Sequence, residues 1–168
     1  MVMMRGNPFT KSIILNYRNF FFNEFLQLEN FLPKTSKCIC LGARQGTEVE
    51  VWRDIGYKKS KGIDLNPGKF NKLVEKGDFM KMKYSDNSIC FTYSNAVDHV
   101  YDIKSFIVEI IRVTRKGGYC MLSIDIKNPR GSFESFEIKD IDHFKSLLSN
   151  TFNSILNDKI NGKWRTFL

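Results

Sequence analysis

The chain has 168 residues, 42% hydrophobic and 26% charged, which excludes a disordered tail and a membrane-embedded protein and provides enough chain for one buried core. Lysine and arginine (26) outnumber aspartate and glutamate (18), for a formal net charge of +8. Most of that excess lies between Tyr57 and Lys83, where eight lysines meet three acids, so the charge reads as a solvated basic flank rather than a nucleic-acid-binding domain.

In chain order, residues 10–31 are expected to form an amphipathic helix: Ile13, Ile14, Tyr17, Phe20, Phe21, Phe25 and Leu28 recur at helical spacing. Leu32-Pro33 ends it. Residues 37–41 read as a buried strand, 42–46 as a glycine turn, and 47–55 as a helix closed by Gly56. A second strand is expected over 60–64, a turn at Asn66-Pro67-Gly68, a helix over 69–76 closed by Gly77, and a third strand over 78–82. A fourth strand follows at 88–93, a helix at 103–114, a glycine pair at Gly117-Gly118 and a fifth strand at 119–126. Residues 141–148 read as a helix, and 152–160 and 164–168 as two strands joined by Asn161-Gly162, a strong hairpin signal.

Strands alternating with helices imply an α/β, doubly wound, mostly parallel sheet. The expectation is seven strands in a three-layer αβα arrangement, Rossmann-like, with an antiparallel C-terminal hairpin. It forms one domain: an N-terminal helical cap (residues 1–36) and a core (37–168). No run approaches the ~18 apolar residues of a spanning helix. Residues 1–9 lack a secretory pattern. Cys38, Cys40, Cys90 and Cys120 lie in strand-like runs without a Cys-x-x-Cys pair, and His99 and His143 are far apart. Reduced core thiols, no metal and a cytoplasmic protein are therefore expected.

In such a sheet, ligands bind beyond the carboxyl ends of the strands. After the first strand, Gly42, Ala43, Arg44 and Gly46 form a turn whose glycines allow close backbone approach. Asp64, some twenty residues on, can accept both hydroxyls of a ribose. Asp78 can accept from an adenine amine while Phe79 offers an apolar face. Next to each stands a plainer account: a tight turn, a turn aspartate, a core phenylalanine. After the fourth strand comes Ser94-Asn95-Ala96-Val97-Asp98-His99.

From about Lys37 to Leu168, the chain resembles the class I S-adenosylmethionine-dependent methyltransferases. The glycine turn, Asp64, Asp78-Phe79 and the run Glu109-Ile110-Ile111-Arg112-Val113-Thr114-Arg115-Lys116-Gly117-Gly118 fall in that family's order, and the terminal hairpin matches its seventh strand. The resemblance implies S-adenosyl-L-methionine as cofactor, held by Gly42, Ala43, Arg44, Gly46, Asp64, Asp78, Phe79 and Asn95. It also implies methyl transfer to an oxygen or nitrogen of a small-molecule acceptor. Where the family has an acid two places before the first glycine, this chain has Cys40, and its middle glycine is Arg44. Glu48 then stands as a nearby carboxylate, and Arg44 as a partner for the cofactor's carboxylate.

An amine or hydroxyl acceptor must lose a proton. His99 is the candidate base, and Asp98 either orients it or acts itself. Both residues are equally placed to cap the helix that follows. Arg130, Phe133 and Phe136 would shape the acceptor pocket, which the N-terminal helix could close and a homodimer could complete. Three other readings stay open: a nucleic-acid-associated methyltransferase or binding protein, a degenerate non-catalytic fold, and a nicotinamide-dependent reductase. The first lacks the Asn-Pro-Pro-Tyr or Asp-Pro-Pro-Tyr run used to hold a flipped base. The last lacks Gly-x-Gly-x-x-Gly spacing.

Overall fold

The computed structural model describes residues 8–124, 140–148, 156–160 and 163–167. Its centre is β1 (Cys38–Leu41), four residues buried on both faces. Cys38 and Cys40 point toward one helical layer, Ile39 and Leu41 toward the other. A strand covered on both sides reads as an unbroken apolar run, which is why the sequence here shows no polar alternation.

The first layer consists of α1 (Pro8–Leu26), a 3₁₀ turn at Gln27–Asn30, and α2 (Thr47–Asp54). Phe21, Phe25, Leu28, Val49 and Trp52 pack here on Cys38, Cys40, Phe91, Tyr93 and Met121. Phe25 meets Trp52 and Tyr93 edge-on, each with ring centroids 4.9 Å apart. Arg18 ties the two helices from outside, with 2.8 Å to Glu50 and 2.5 Å to Asp54. The second layer holds α3 (Ile103–Val113) and α4 (Ile141–Leu148). Phe106, Ile110, Phe144 and Leu148 bury against Ile39, Leu41, Cys120 and Leu122.

The sheet contains β2 (Lys61–Asp64), β3 (Val74–Lys76), β4 (Ile89–Ser94), β5 (Thr114–Ile124), β6 (Leu156–Ile160) and β7 (Lys163–Phe167), in the order β3-β2-β1-β4-β5-β7-β6. The pairs from β3 to β5 are parallel. β7 pairs antiparallel with both β5 and β6. The chain winds outward from β1 through β2 to β3, then returns to β4 on the other side of β1. This makes the carboxyl ends of β1 and β4 the topological switch point.

Two sequence expectations are corrected. Residues 69–76 are not a helix, and 78–82 are not a strand; the third strand is β3, at Val74–Lys76. The cause is Asn71. Its carboxamide oxygen accepts from the amides of Leu73 (2.9 Å) and Val74 (3.1 Å), and its NH₂ donates to the carbonyls of Pro67 (2.9 Å) and Gln45 (3.1 Å). These bonds give the backbone an alternative to the helical ladder. Phe70, just before Asn71, has φ at 60°. Asp78 likewise turns the next segment, accepting from the Met80 amide at 2.8 Å. Among the described residues, no helix is long and apolar enough to cross a membrane.

Candidate functional site

The carboxyl ends of β1 and β4 meet at the switch point, with the end of β2 beside them. Gly42 leaves β1 with φ at 72°, and a Cβ there would lie 2.6 Å from the Cβ of Ala96, just past β4. The turns after β1 and β4 therefore abut, and only a glycine fits between them. Ser94 locks the same junction: its hydroxyl donates to the Leu41 carbonyl (3.1 Å) and accepts from the Ala96 amide (3.2 Å). The amides of Gly42 and Ala43 donate to the Ile63 carbonyl of β2, at 2.9 and 3.2 Å. Gly46, with φ at 90°, starts α2 hard against β3; a Cβ would meet Val74 Cγ2 at 2.8 Å.

Asp64 ends β2 and is fixed by both oxygens. Oδ2 accepts from the Arg44 amide at 2.9 Å, and Oδ1 from the Asn66 amide at 2.7 Å. Each carboxylate oxygen keeps a further lone pair, so the group is oriented yet still able to accept two more hydrogen bonds. Arg44 adopts φ of 47°, and its exposed guanidinium has no partner among the described residues. Leu65, 62% exposed, presents an apolar side chain directly after Asp64. Sequence reasoning passed over it, because an exposed leucine next to a turn carries no signal until its neighbour is known.

The remaining expected residues fall less evenly. Phe79 is buried against Phe106, with centroids 5.6 Å apart, and its ring edge borders Gly42. Asp78 is half-buried and engaged with Met80. Asn95 is half-buried beyond β4. Asp98 and His99 lie in a 3₁₀ turn, Val97–His99, with His99 exposed. Neither caps α3: that role belongs to Asp102, which accepts from the amides of Lys104 and Ser105. Arg130, Phe133 and Phe136 lie outside the described residues.

Beneath the glycine turn, on the α1–α2 side, sits a group of buried polar side chains: Glu24 of α1, Cys40 of β1, Glu48 of α2 and Tyr93 of β4. Burial pushes the Glu48 carboxyl up to about 7, with Asp64 adding to the effect. Burial also pushes the Tyr93 hydroxyl far up, and Glu24 and Glu48 push it further. Cys40 is held well above the usual thiol range by burial and then by Glu48. Glu24 was missed from sequence, although it interrupts the apolar stripe of Phe21 and Phe25 on its own helix and Leu28 in the 3₁₀ turn that follows.

This set suits a nucleoside-bearing ligand. An oriented carboxylate can accept from vicinal hydroxyls, glycine backbone allows close approach, and Leu65 presents exposed apolar surface beside it. A family model described as a methyltransferase domain matches residues 39–122. No curated protein matches the chain significantly. Among solved structures, the chain is similar to the YcgJ protein of Bacillus subtilis, at 13% identity and a TM-score of 0.71, over 84% of this chain and 71% of that one. A SAM-dependent methyltransferase from Aquifex aeolicus gives 16% identity and 0.67, over 93% and 96%. A chain from the complex between the Haloferax volcanii Trm112 methyltransferase activator and a methyltransferase gives 14% and 0.75, over 91% and 90%. At these identities, the likeness to each is one of fold.

Proposed function

The chain belongs to the methyltransferase domain family, and on that premise we propose that it moves a methyl group from S-adenosyl-L-methionine to an oxygen or nitrogen of a small-molecule acceptor. The observation that carries this reading is Asp64, held at the carboxyl end of β2 by the Arg44 and Asn66 amides with lone pairs to spare. When bound, the cofactor supplies a methyl group already activated on a sulfonium.

The protein's work is then alignment and exclusion of water. Asp64 accepts the ribose hydroxyls, and Gly42, Ala43 and Gly46 bring backbone against the ligand. Phe79 and Leu65 supply the apolar surface for the base, with Asp78 at its amine. Arg44 offers its guanidinium to the ligand carboxylate. Asn95, just past β4, faces the junction of cofactor and acceptor. His99, oriented by Asp98, takes the acceptor's proton on an imidazole nitrogen.

Calorimetric titration with S-adenosylhomocysteine and with NADH tests the reading. Binding of the first alone, weakened at least tenfold by Asp64→Ala, is expected. Binding of NADH alone, or of neither, overturns it. Activity of His99→Ala on an acceptor across pH tests the base: an unchanged profile removes that role.

A further inference from the structure

We propose that the outer edge of the sheet, at β3, is a binding surface for single-stranded nucleic acid, with the Phe70 ring as a stacking platform and Lys69, Lys72 and Lys76 as phosphate contacts. It goes beyond the methyl-transfer reading, because none of these four residues belongs to the set assigned there.

Phe70 is 96% exposed. A single exposed apolar side chain is common on protein surfaces, but this one is also held in place. Its φ of 60° lies in the left-handed region, which a bulky residue rarely enters. Asn71 fixes the backbone on one side, through the Leu73 and Val74 amides and the Pro67 and Gln45 carbonyls. On the other side, Gly68 turns the chain with φ at 83°. The loop therefore holds a phenyl ring almost wholly in solvent, on backbone anchored to the glycine turn and to β3. A base of any identity can stack on such a ring.

The free charges beside the ring are lysines. Lys69 and Lys72 flank it in the chain, and Lys76 lies opposite Asp64 in the β2–β3 register. All three are exposed, and none forms an ion pair among the described residues. The neighbouring acids are already engaged. Glu75 lies 4.0 Å from Lys61 and accepts from the Tyr84 hydroxyl at 3.3 Å, while Asp64 and Asp78 accept from backbone amides. Lys61 also donates to the Lys72 carbonyl at 3.1 Å, which fastens the loop to β2. β3 ends the sheet, with β2 on its one paired side, so the edge is open to a strand of nucleotides. Unpaired lysines beside an exposed ring suit a polyanion that carries flat bases. A bilayer also attracts lysines, but anchoring there takes buried apolar area as well as charge. Leu73, the next apolar side chain of the loop, instead packs into the α1–α2 layer. From sequence, the basic run over 57–83 reads as a solvated flank and Phe70 as part of a helix; the structure puts the ring outside, among the lysines.

The experiment is an anisotropy titration of the full chain at ~50 mM salt with three labelled probes. Two are oligouridylate and oligothymidylate of about 12 nucleotides, and the third is inorganic polyphosphate, which has charge but no bases. Phe70→Asn removes the ring and tolerates the left-handed backbone; Phe70→Trp keeps a stacking surface. Binding of either oligonucleotide is expected, weakened about 5- to 150-fold by Phe70→Asn and retained by Phe70→Trp, with polyphosphate affinity unchanged in both. Replacing Lys69, Lys72 and Lys76 together by alanine should lower the slope of log affinity against log salt by about 2. No oligonucleotide binding by the unmutated chain overturns the proposal, as does an affinity that ignores Phe70→Asn. An equal loss for oligonucleotide and polyphosphate also overturns it, as the mark of a merely structural residue. Loss of S-adenosylhomocysteine with the oligonucleotides kept would assign the ring to the methyl donor instead. Binding to phosphatidylserine vesicles that depends on Phe70, without oligonucleotide binding, would assign the surface to a membrane and refute the proposal. Should Phe70→Asn fail to give a cooperative melt, the lysine variant decides, and an unchanged salt slope there refutes the assignment.

Discussion

Arg112 and Glu109, three residues apart on α3, share both carboxylate oxygens: Arg112 Nε lies 2.8 Å from Glu109 Oε2, and Nη2 lies 2.7 Å from Oε1. The same guanidinium donates to the carbonyls of Tyr84 (2.8 Å) and Met82 (3.0 Å) and to Asp86 (2.6 Å). Glu109 Oε1 also accepts from the Met82 amide at 2.5 Å. The Glu-x-x-Arg run is thus a clamp that holds the segment between β3 and β4, including the approach from Phe79, against α3. Arg112→Ala leaves a buried carboxylate and two carbonyls without their donor. It is expected to cost about 2–4 kcal/mol in urea unfolding; a loss under about 0.5 kcal/mol would show that water replaces the clamp.

Acid should weaken the clamp. The Arg112 hydrogen bond, outweighing burial, holds the Glu109 carboxyl below the usual value of 4.5. A carboxyl with a lowered folded-state pKa stabilises the fold above its ordinary value and loses that contribution as pH falls through the lower one. The urea midpoint of the unmutated chain should therefore drop more steeply below about pH 4.5 than that of Glu109→Gln. Parallel curves would place the acid sensitivity elsewhere.

Glu48 should act in the opposite sense. Its folded-state pKa, about 7, lies above the ordinary 4.5. Its contribution is therefore complete below pH 4.5 and lost as pH rises through about 7. Without ligand, Glu48→Gln should match the unmutated chain near pH 5 and exceed it at pH 8 by up to ~3 kcal/mol. Thermal melts at the two pH values read the difference, and an equal offset at both would contradict it.

Two glycines separate backbone strain from crowding. Gly42 (φ 72°) and Gly68 (φ 83°) both occupy the left-handed region, yet a Cβ at Gly42 strikes Ala96 while one at Gly68 meets nothing within 4 Å. Gly68→Ala should cost only the conformational term, about 1 kcal/mol. Gly42→Ala should cost about 2–4 kcal/mol, because overpacking adds to the same strain. Equal losses would mean that the two turns part freely, and that the junction of β1 and β4 is not rigid.

What the sequence made readable follows from where its signals are local. Apolar runs marked β1, β4 and β5; the spacing of Phe106, Ile107 and Ile110 marked α3; and Gly42 and Asp64 marked the carboxyl ends of β1 and β2. Glu48 drew notice only through the thiol at Cys40, since its burial depends on how α2 packs over β1. From sequence, the cap of α3 is expected at Asp98 or His99, whereas Asp102 holds it, because the helix starts at Ile103, several residues later than those two could reach. The clearest misreading, a helix over 69–76, arose because Lys69-Phe70-Asn71-Lys72-Leu73 has ordinary helical composition, while Asn71's four partners come from both sides of it.

Asn71 should therefore be the residue on which β3 depends. Asn71→Ala removes the acceptor from the Leu73 and Val74 amides and the donor from the Pro67 and Gln45 carbonyls. Leu73 in turn accepts from the Gly62 amide at 2.9 Å, so the loss reaches the β2–β3 pairing directly. The substitution is expected to cost about 1–3 kcal/mol and to speed amide exchange at Gly62 and across Val74–Lys76, leaving β4 and β5 protected. The loop also touches the glycine turn through Gln45, so any ligand held by Asp64 and Gly46 should bind more weakly in the variant. If exchange at β3 is unchanged, the turn at Pro67-Gly68 holds the strand without Asn71, and the helical alternative was suppressed by proline and glycine alone.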